Sequence, residues 1–466
     1  MLGRTLNALN FREATVTAPR KRTPNQALAA LLAETKWKNG QLAREVNRVG
    51  GEAGIALSYD ESAVSHWLSG TIPRQRVQPL ICEALSRKLR RPVTSEQAGF
   101  GRATNTGKWP DTVSGIVDLG RQDMDPSRRG VLAAGLYSAA LMVPAYSDLA
   151  GRLDKGVMDK AAGRTVRIGT AEVATVRTMT DRIADILDEL GGGHARPMAA
   201  AFLVNTVSPY LQASGPERVK SEMLAAASDL TYLTGWMAMY ETAHGLGQSY
   251  YLRALELAAA AGDHITYCRT LRGMALQASS LGHGPKALEL ADSAAEAAPA
   301  AGPRLTAFLR GQQAHGAAMV KDQRQAFARL RETEDALSRA DGRNDAVGGY
   351  DQAAYHFHVS HVLWELGDQA GSVRALRASN RARPTNEKQG RVHANGLLAR
   401  RQMKMRHVEA AAETWNAFLD DYVTISSARG DEHFRTLRPE IAPYAGLRAV
   451  QQLDQRAAEV ARLKAA

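Results

Sequence analysis

Cysteine is almost missing from this chain. Cys82 and Cys268 are its two cysteines in 466 residues, far apart inside apolar helical patterns, so they make neither a disulfide framework nor a metal knuckle, which fits a reducing cytoplasm. Aromatic residues reach only 6%. No apolar run is long enough to span a bilayer, and the N-terminal MLGRTLNALNFREATVTAPRKR lacks the continuous apolar core of a secretory signal, so the expectation is a cytoplasmic protein without membrane contact. Ser127 to Leu132 imitates a twin-arginine signal, but it follows a folded domain and reads instead as a buried helix opening the C-terminal part. Catalytic signatures are also missing: there is no GxxxxGK[ST], HExxH, GxSxG or CxxC. Gly191-Gly192-Gly193-His194 is a loop signal only. In YHFHVSHV, a helix turns His356 about 200° away from His358, so His356, His358 and His361 do not converge on a metal. No enzyme activity, cofactor or metal is expected.

Alanine is abundant in the second half, which favours helices packed through small residues and an all-α fold. At 466 residues the chain exceeds one ordinary core, so more than one domain is expected. The net charge of +11 is uneven: residues 1 to 100 hold 15 Lys and Arg against 8 Asp and Glu. Basic charge releases counterions from DNA, so this asymmetry points to a nucleic-acid partner for the N-terminal part, a solvated basic face being the alternative.

Residues 1–22 end in Arg20, Lys21 and Arg22 and read as a basic arm. Thr23, Pro24 and Gln26 form a capping box for a first helix carrying Leu28, Leu31 and Leu32. A second helix starts after Asn39, runs through Leu42, Ala43 and Val46, and stops at Gly50-Gly51. After a long inner turn comes YDESAVSHWLSGTIPR, Tyr59 to Arg74. On a helix, Val64, Trp67 and Leu68 share one face while Ser62, Ser65, His66 and Ser69 share the other, and Gly70 and Pro73 end it. A slim hydroxyl-lined ridge suits a major groove, where serine and histidine meet base edges. Arg74 and Arg76 behind it, with Lys38 and Gln41 opening the preceding helix, suit phosphates that fix the register. Asp60 and Glu61 repel phosphate unless they cap the helix or accept from cytosine. A fourth helix carries Val77, Leu80, Ile81 and Leu85, and Thr94 with Gln97 caps a fifth. Residues 101–125 read as a linker.

From 126 to 466 helices alternate with turns. Arg253 to Ala258 recurs as Lys286 to Ala291, an offset that matches the tetratricopeptide period, with a generic helical bundle as the alternative. Trp236, Met237, Met239 and Tyr240 line either a pocket or the core. The final stripe of Leu447, Val450, Leu453, Ala457 and Val460 either pairs subunits or caps the array.

Residues 23–100, through Tyr59, Asp60, Val64, Trp67, Leu68, Gly70 and Pro73, resemble the actinobacterial Xre-type (lambda-repressor-like) helix-turn-helix domain. GGGHARP, GWMAMYETAHGLGQSYYLRALELAAAAGD and ALQASSLGHGPKALELA are similar to the tetratricopeptide-like region of the same regulators, the NsdA-like group among them. The resemblance implies an N-terminal five-helix domain at 23–100 and a helical-repeat sensor or dimerisation domain at 126–466. It further implies a sequence-specific transcription factor on double-stranded DNA, acting on developmental or antibiotic-production genes. A homodimer on a palindrome and a small-molecule or peptide effector on the repeat domain complete this reading. The rival is a protein-binding tetratricopeptide scaffold with a vestigial helix-turn-helix.

Overall fold

A computed structural model describes residues 23–53, 55–101, 111–125, 136–143, 145–153, 167–297, 302–340 and 350–465. The basic arm and the Ser127–Leu132 segment lie outside them. Every regular element among the described residues is a helix, and the one extended feature is an isolated bridge between Arg167 and Ser214.

The head is built from α1 (Gln26–Thr35), α2 (Asn39–Glu52), α3 (Glu61–Leu68) and α4 (Gln78–Leu89). Their apolar stripes meet in one core around Leu28, Leu42, Val46, Val64, Trp67, Ile81 and Leu85. The cap of α1 is Asn25, not Thr23: its carboxamide accepts from Leu28 N at 2.9 Å and donates to Ala98 O at 2.9 Å. One side chain thereby satisfies an orphan helix donor and pins the domain's end to its beginning. The Thr94–Gln97 box forms, with reciprocal bonds of 3.0 and 3.2 Å, but opens only a single turn before Gly99 swings to a φ of +71°. The head thus has four helices and a capped turn where the sequence predicts five helices.

Within the expected linker, residues 112–124 form α5 (Thr112–Met124), with Val113 and Ile116 buried. It docks on the body through polar groups that are themselves paired. Asp123 meets Arg196 at 3.1 Å and accepts from the Tyr250 hydroxyl, while Thr112 donates to Glu256 at 2.8 Å. Buried charge is tolerated on these terms. Beyond it come α6 (Tyr146–Leu153), α7 (Thr170–Leu190), α8 (Gly192–Phe202), a π-turn at Leu203–Val207 and α9 (Ser208–Leu211).

Six antiparallel pairs follow: α10 (Glu217–Tyr240) with α11 (His244–Ala261), α12 (His264–Ser280) with α13 (Gly284–Glu296), and α14 (Pro303–Met319) with α15 (Gln323–Ser338). Then come α16 (Gln352–Leu366) with α17 (Gln369–Ala382), α18 (Lys388–Lys404) with α19 (Val408–Tyr422), and α20 (Ala428–Ile441) with α21 (Arg448–Ala465). The first five pairs turn on a residue of positive φ: Thr242, Gly282, Lys321, Gly367 and Arg406. After four of these the next N–H reaches back to the preceding helix, as from His283 to Ala278 O and from His407 to Gln402 O, the bond that ends a helix in a left-handed cap. Each of these turns follows the last at a wider interval than the one separating the two RALELA-like copies. The self-match falls two helical turns short of the offset between the helix starts at His244 and Gly284. Two whole turns restore the same helix face, so Ala254, Leu257 and Ala258 and their counterparts Ala287, Leu290 and Ala291 are all buried, while Leu255 is buried and Leu288 half-buried. The first pair packs so closely that a side chain on Gly235 or Gly247 would meet the other's carbonyl at 3.1 or 3.0 Å.

The array returns on itself. In the α7–α8 turn Gly193 N donates to Ser426 O at 3.0 Å and Leu190 O accepts from Ser426 N at 2.8 Å, and Glu241 at the end of α10 accepts from Ala428 N at 3.1 Å. The α21 stripe is internal: Val450, Leu453, Ala457 and Val460 are buried in the core with α19, and only Leu447 is exposed. Of the two readings of that stripe, the structure shows the cap.

Candidate functional sites on the head and inside the body

On the head, the polar residues singled out from the sequence are exposed or half-exposed, and a bond of 3.0 Å from Asn39 to Ser65 sets the start of α2 beside α3. Val64 and Trp67 are buried, with the Tyr59 ring edge-on to Trp67 at 5.1 Å. Asn47 fastens the long inner turn to α2, donating to Tyr59 O at 2.8 Å and accepting from Tyr59 N at 2.9 Å. Ser62, Ser65, His66 and Ser69 are exposed in one row, and Arg74 and Arg76 are exposed behind the exit turn. Gly70, at a φ of +96°, makes that turn, closed by Thr71 N donating to His66 O at 2.9 Å. Asp60 caps α3, accepting from Ala63 N at 3.0 Å, so its charge is spent on the helix end.

Three of the singled-out residues are partly engaged. The Gln41 carboxamide oxygen accepts from Lys38 N at 2.8 Å, which leaves its NH2 group. Ser65 donates to Glu61 O and accepts from Asn39 at 3.0 Å, and Ser69 donates back to Ser65 O at 2.6 Å. Those hydroxyls present lone pairs outward more readily than protons. Lys38 is exposed.

Inside the body a second constellation emerges that no stretch of sequence announces. The first helices of successive pairs turn aromatic and basic side chains toward one another. Trp236 stacks on Tyr240 at 5.2 Å; Tyr240 lies 6.0 Å from His393; His393 lies 5.7 Å from Phe357; Phe357 lies 4.6 Å from His361; and His361 lies 4.7 Å from His315. Arg272 returns the ring to its start, its guanidinium 5.2 Å from the Trp236 ring and 3.8 Å from Phe308. Trp236, His315 and His361 stand at the same distance before the positive-φ turns at Thr242, Lys321 and Gly367. They are one position of the repeat, which is the signal that sequence reading missed. Of the GWMAMYE cluster, Met237 and Met239 are core while Trp236 and Tyr240 face this interior.

The imidazoles here are neutral. Burial lowers His315 to about 4 and His433, whose Nε2 lies 3.1 Å from His393 Nδ1, to about 3, and it drives His361 and His393 well below the usual range, with neighbouring cations adding to the effect. The three histidines of YHFHVSHV part company. His358 bonds the Tyr350 hydroxyl at 2.9 Å, His361 faces His315, and His356 lies beside Tyr355.

Residues 28–101 match the family model described as SP15 N-terminal domain. The matched stretch holds α2, α3 and the exit arginines. No curated protein matches the chain. Among solved structures, the chain is similar to a Rap protein crystallised with Competence and Sporulation Factor. The identity is 15% and the TM-score 0.37, with 62% of this chain and 90% of that chain covered.

Proposed function

We propose that the chain is a non-enzymatic binding protein in which the helical-repeat body is a scaffold that holds a partner in its interior. What supports this reading is the interior ring: aromatic faces, neutral imidazoles and buried polar atoms without partners, such as His315 Nδ1, His433 Nδ1 and Arg272 Nη1, gathered where helix-on-helix packing alone would place alanine and leucine. A buried polar atom left unpaired costs about 1–3 kcal/mol, and a ligand that pairs it removes that cost. In-cell photocrosslinking tests the reading. A benzoylphenylalanine replacing Tyr240 should give a discrete adduct by intact mass, and the same probe replacing Ile265, which is 59% exposed on the body's surface, should not. Adducts absent from position 240, or identical from both positions, would refute the scaffold.

A second limb is supported by the head. We infer that the exposed row on α3 reads double-stranded DNA, with Ser62, Ser65, His66 and Ser69 toward base edges and Lys38, Gln41, Arg74 and Arg76 toward phosphates. Together the two limbs make a partner-responsive transcriptional regulator of the cytoplasm, on developmental or secondary-metabolite genes and acting as a homodimer. Ser65→Glu with His66→Glu should abolish sequence-specific gel shifts while circular dichroism stays native. Arg74→Ala with Arg76→Ala should weaken all DNA alike and reduce the slope of log K against log salt by about 2. A protein showing no preferred DNA at any ionic strength is a scaffold only, and this limb then falls.

A further inference from the structure

Arg272 is a costly residue of the interior. It is 4% exposed, and its Nε and Nη1 have no hydrogen-bond partner. The guanidinium lies over Phe308 and beside Trp236, and it acts on the nearby Tyr232 hydroxyl. Cation–π contact and one phenol offset part of its desolvation, yet a buried guanidinium is normally met by an anion. None of the ion pairs among the described residues involves Arg272. The other charges acting on the ring histidines are cations as well: Arg401 on His315 and His361, Arg429 and Arg383 on His393. Arg401 donates to Ser372 at 2.8 Å and feels Glu365 on its outer side. Glu241 Oε2 accepts from Ala428 N where the array closes, while its Oε1 is buried without a partner, and Arg383 is paired with Glu387 at 2.8 Å. The interior therefore carries positive charge with aromatic walls and an anchor whose N–H groups are unspent, and Trp236, Tyr240, His361 and His393 keep accessible surface there.

We propose that this ring binds a carboxylate attached to a flat apolar body, with Arg272, backed by Phe308, holding the carboxylate and Trp236 and Tyr240 holding the flat body. The neutral imidazoles add N–H donors without adding charge of their own, and an anion completes the hydrogen bonds of the guanidinium with charge-assisted ones. The proposal deepens the scaffold reading and rests on it. A free aromatic acid and the C-terminus of a short peptide ending in an aromatic residue present the same chemistry.

Isothermal titration of the intact chain separates them. The probes are phenylacetate and indole-3-acetate, the tripeptide Gly-Phe-Phe, and the carboxamide of each. The expected result is one site per chain for either the free acids or the peptide acid, whichever source is right, with the matching amide at least about 30-fold weaker. Arg272→Gln should lose binding by a similar factor, and Arg272→Lys, which keeps the charge and guards against a folding defect, should fall between. Acid and amide binding equally, unchanged affinity in a folded Arg272→Gln variant, or no saturation by any of the three acids overturns the proposal. An adduct from position 240 alongside silent titrations removes the carboxylate assignment and leaves the scaffold. Silence in both removes both.

Discussion

Asp60 and Asn25 show how single polar side chains set the head's geometry. Each fills an orphan N–H at a helix start, and Asn25 also holds the far end of the domain through Ala98. The body's histidines work in the opposite sense, being costly rather than connecting. His315 protonates in the unfolded chain near pH 6.5 but in the folded protein only near 4. The folded state therefore binds fewer protons between those values, and stability falls as pH falls from about 6.5 toward about 4. The limiting slope is about 1.4 kcal/mol per pH unit for each such group. His433, lowered to about 3, and His244, lowered to about 4, act in the same window. Urea midpoints measured above pH 5, where most carboxylates stay ionised, should decrease steadily from neutrality, and His315→Gln should flatten the slope. A flat profile over that range would show that these imidazoles are hydrated in solution.

Among the elements, the α7–α8 turn carries the closure of the array. Gly191 sits at a φ of +88°, and a Cβ there would stand 2.2 Å from Ser426 O. Gly191→Ala thus combines left-handed strain with a backbone clash, and a loss of about 1–3 kcal/mol is expected. The loss should be local: hydrogen exchange should quicken in α20 and at the α7–α8 turn while the head keeps its protection. Uniform quickening would mean that the array has no separable closure.

This turn also marks what the sequence discloses. GGGH reads as a loop and does make the turn at Gly191, although Gly192 already opens α8, and nothing local says that Ser426, at the far end of the array, is its partner. The α3 ridge was legible because its inner and outer faces alternate within one short helix. The ring was not, because its members come from helices of different pairs, widely separated in the chain, and the RALELA self-match follows helix-face equivalence rather than the repeat length. The Thr94–Gln97 box misled for a simpler reason. Both capping bonds form, yet Gly99 follows too soon for a helix to propagate.

At the scale of the molecule, the segment Tyr137–Ala140 ties head to body. Ser138 exchanges two bonds of 2.8 Å with the Gln248 carboxamide on α11, Ala139 N donates to Glu83 on α4 at 2.8 Å, and Arg87 of α4 donates to Tyr137 O at 3.2 Å. Arg87 is itself held by Glu83 and Glu52 at 2.7 and 2.6 Å, so a shift of this strap reaches α2, the helix that precedes the α3 ridge. Any change of shape in the body has this short, polar and largely buried route to the head. Gln248→Leu keeps the volume and deletes both bonds to Ser138, leaving a half-buried N–H and C=O unpaired at a cost of at most about 1–3 kcal/mol each. The expected outcome in calorimetry is that a single unfolding transition of the intact chain splits in two, with the head melting first and the body's midpoint nearly unchanged. A transition that stays single and merely moves down would place the coupling in α5 and its buried Asp123–Arg196 pair instead.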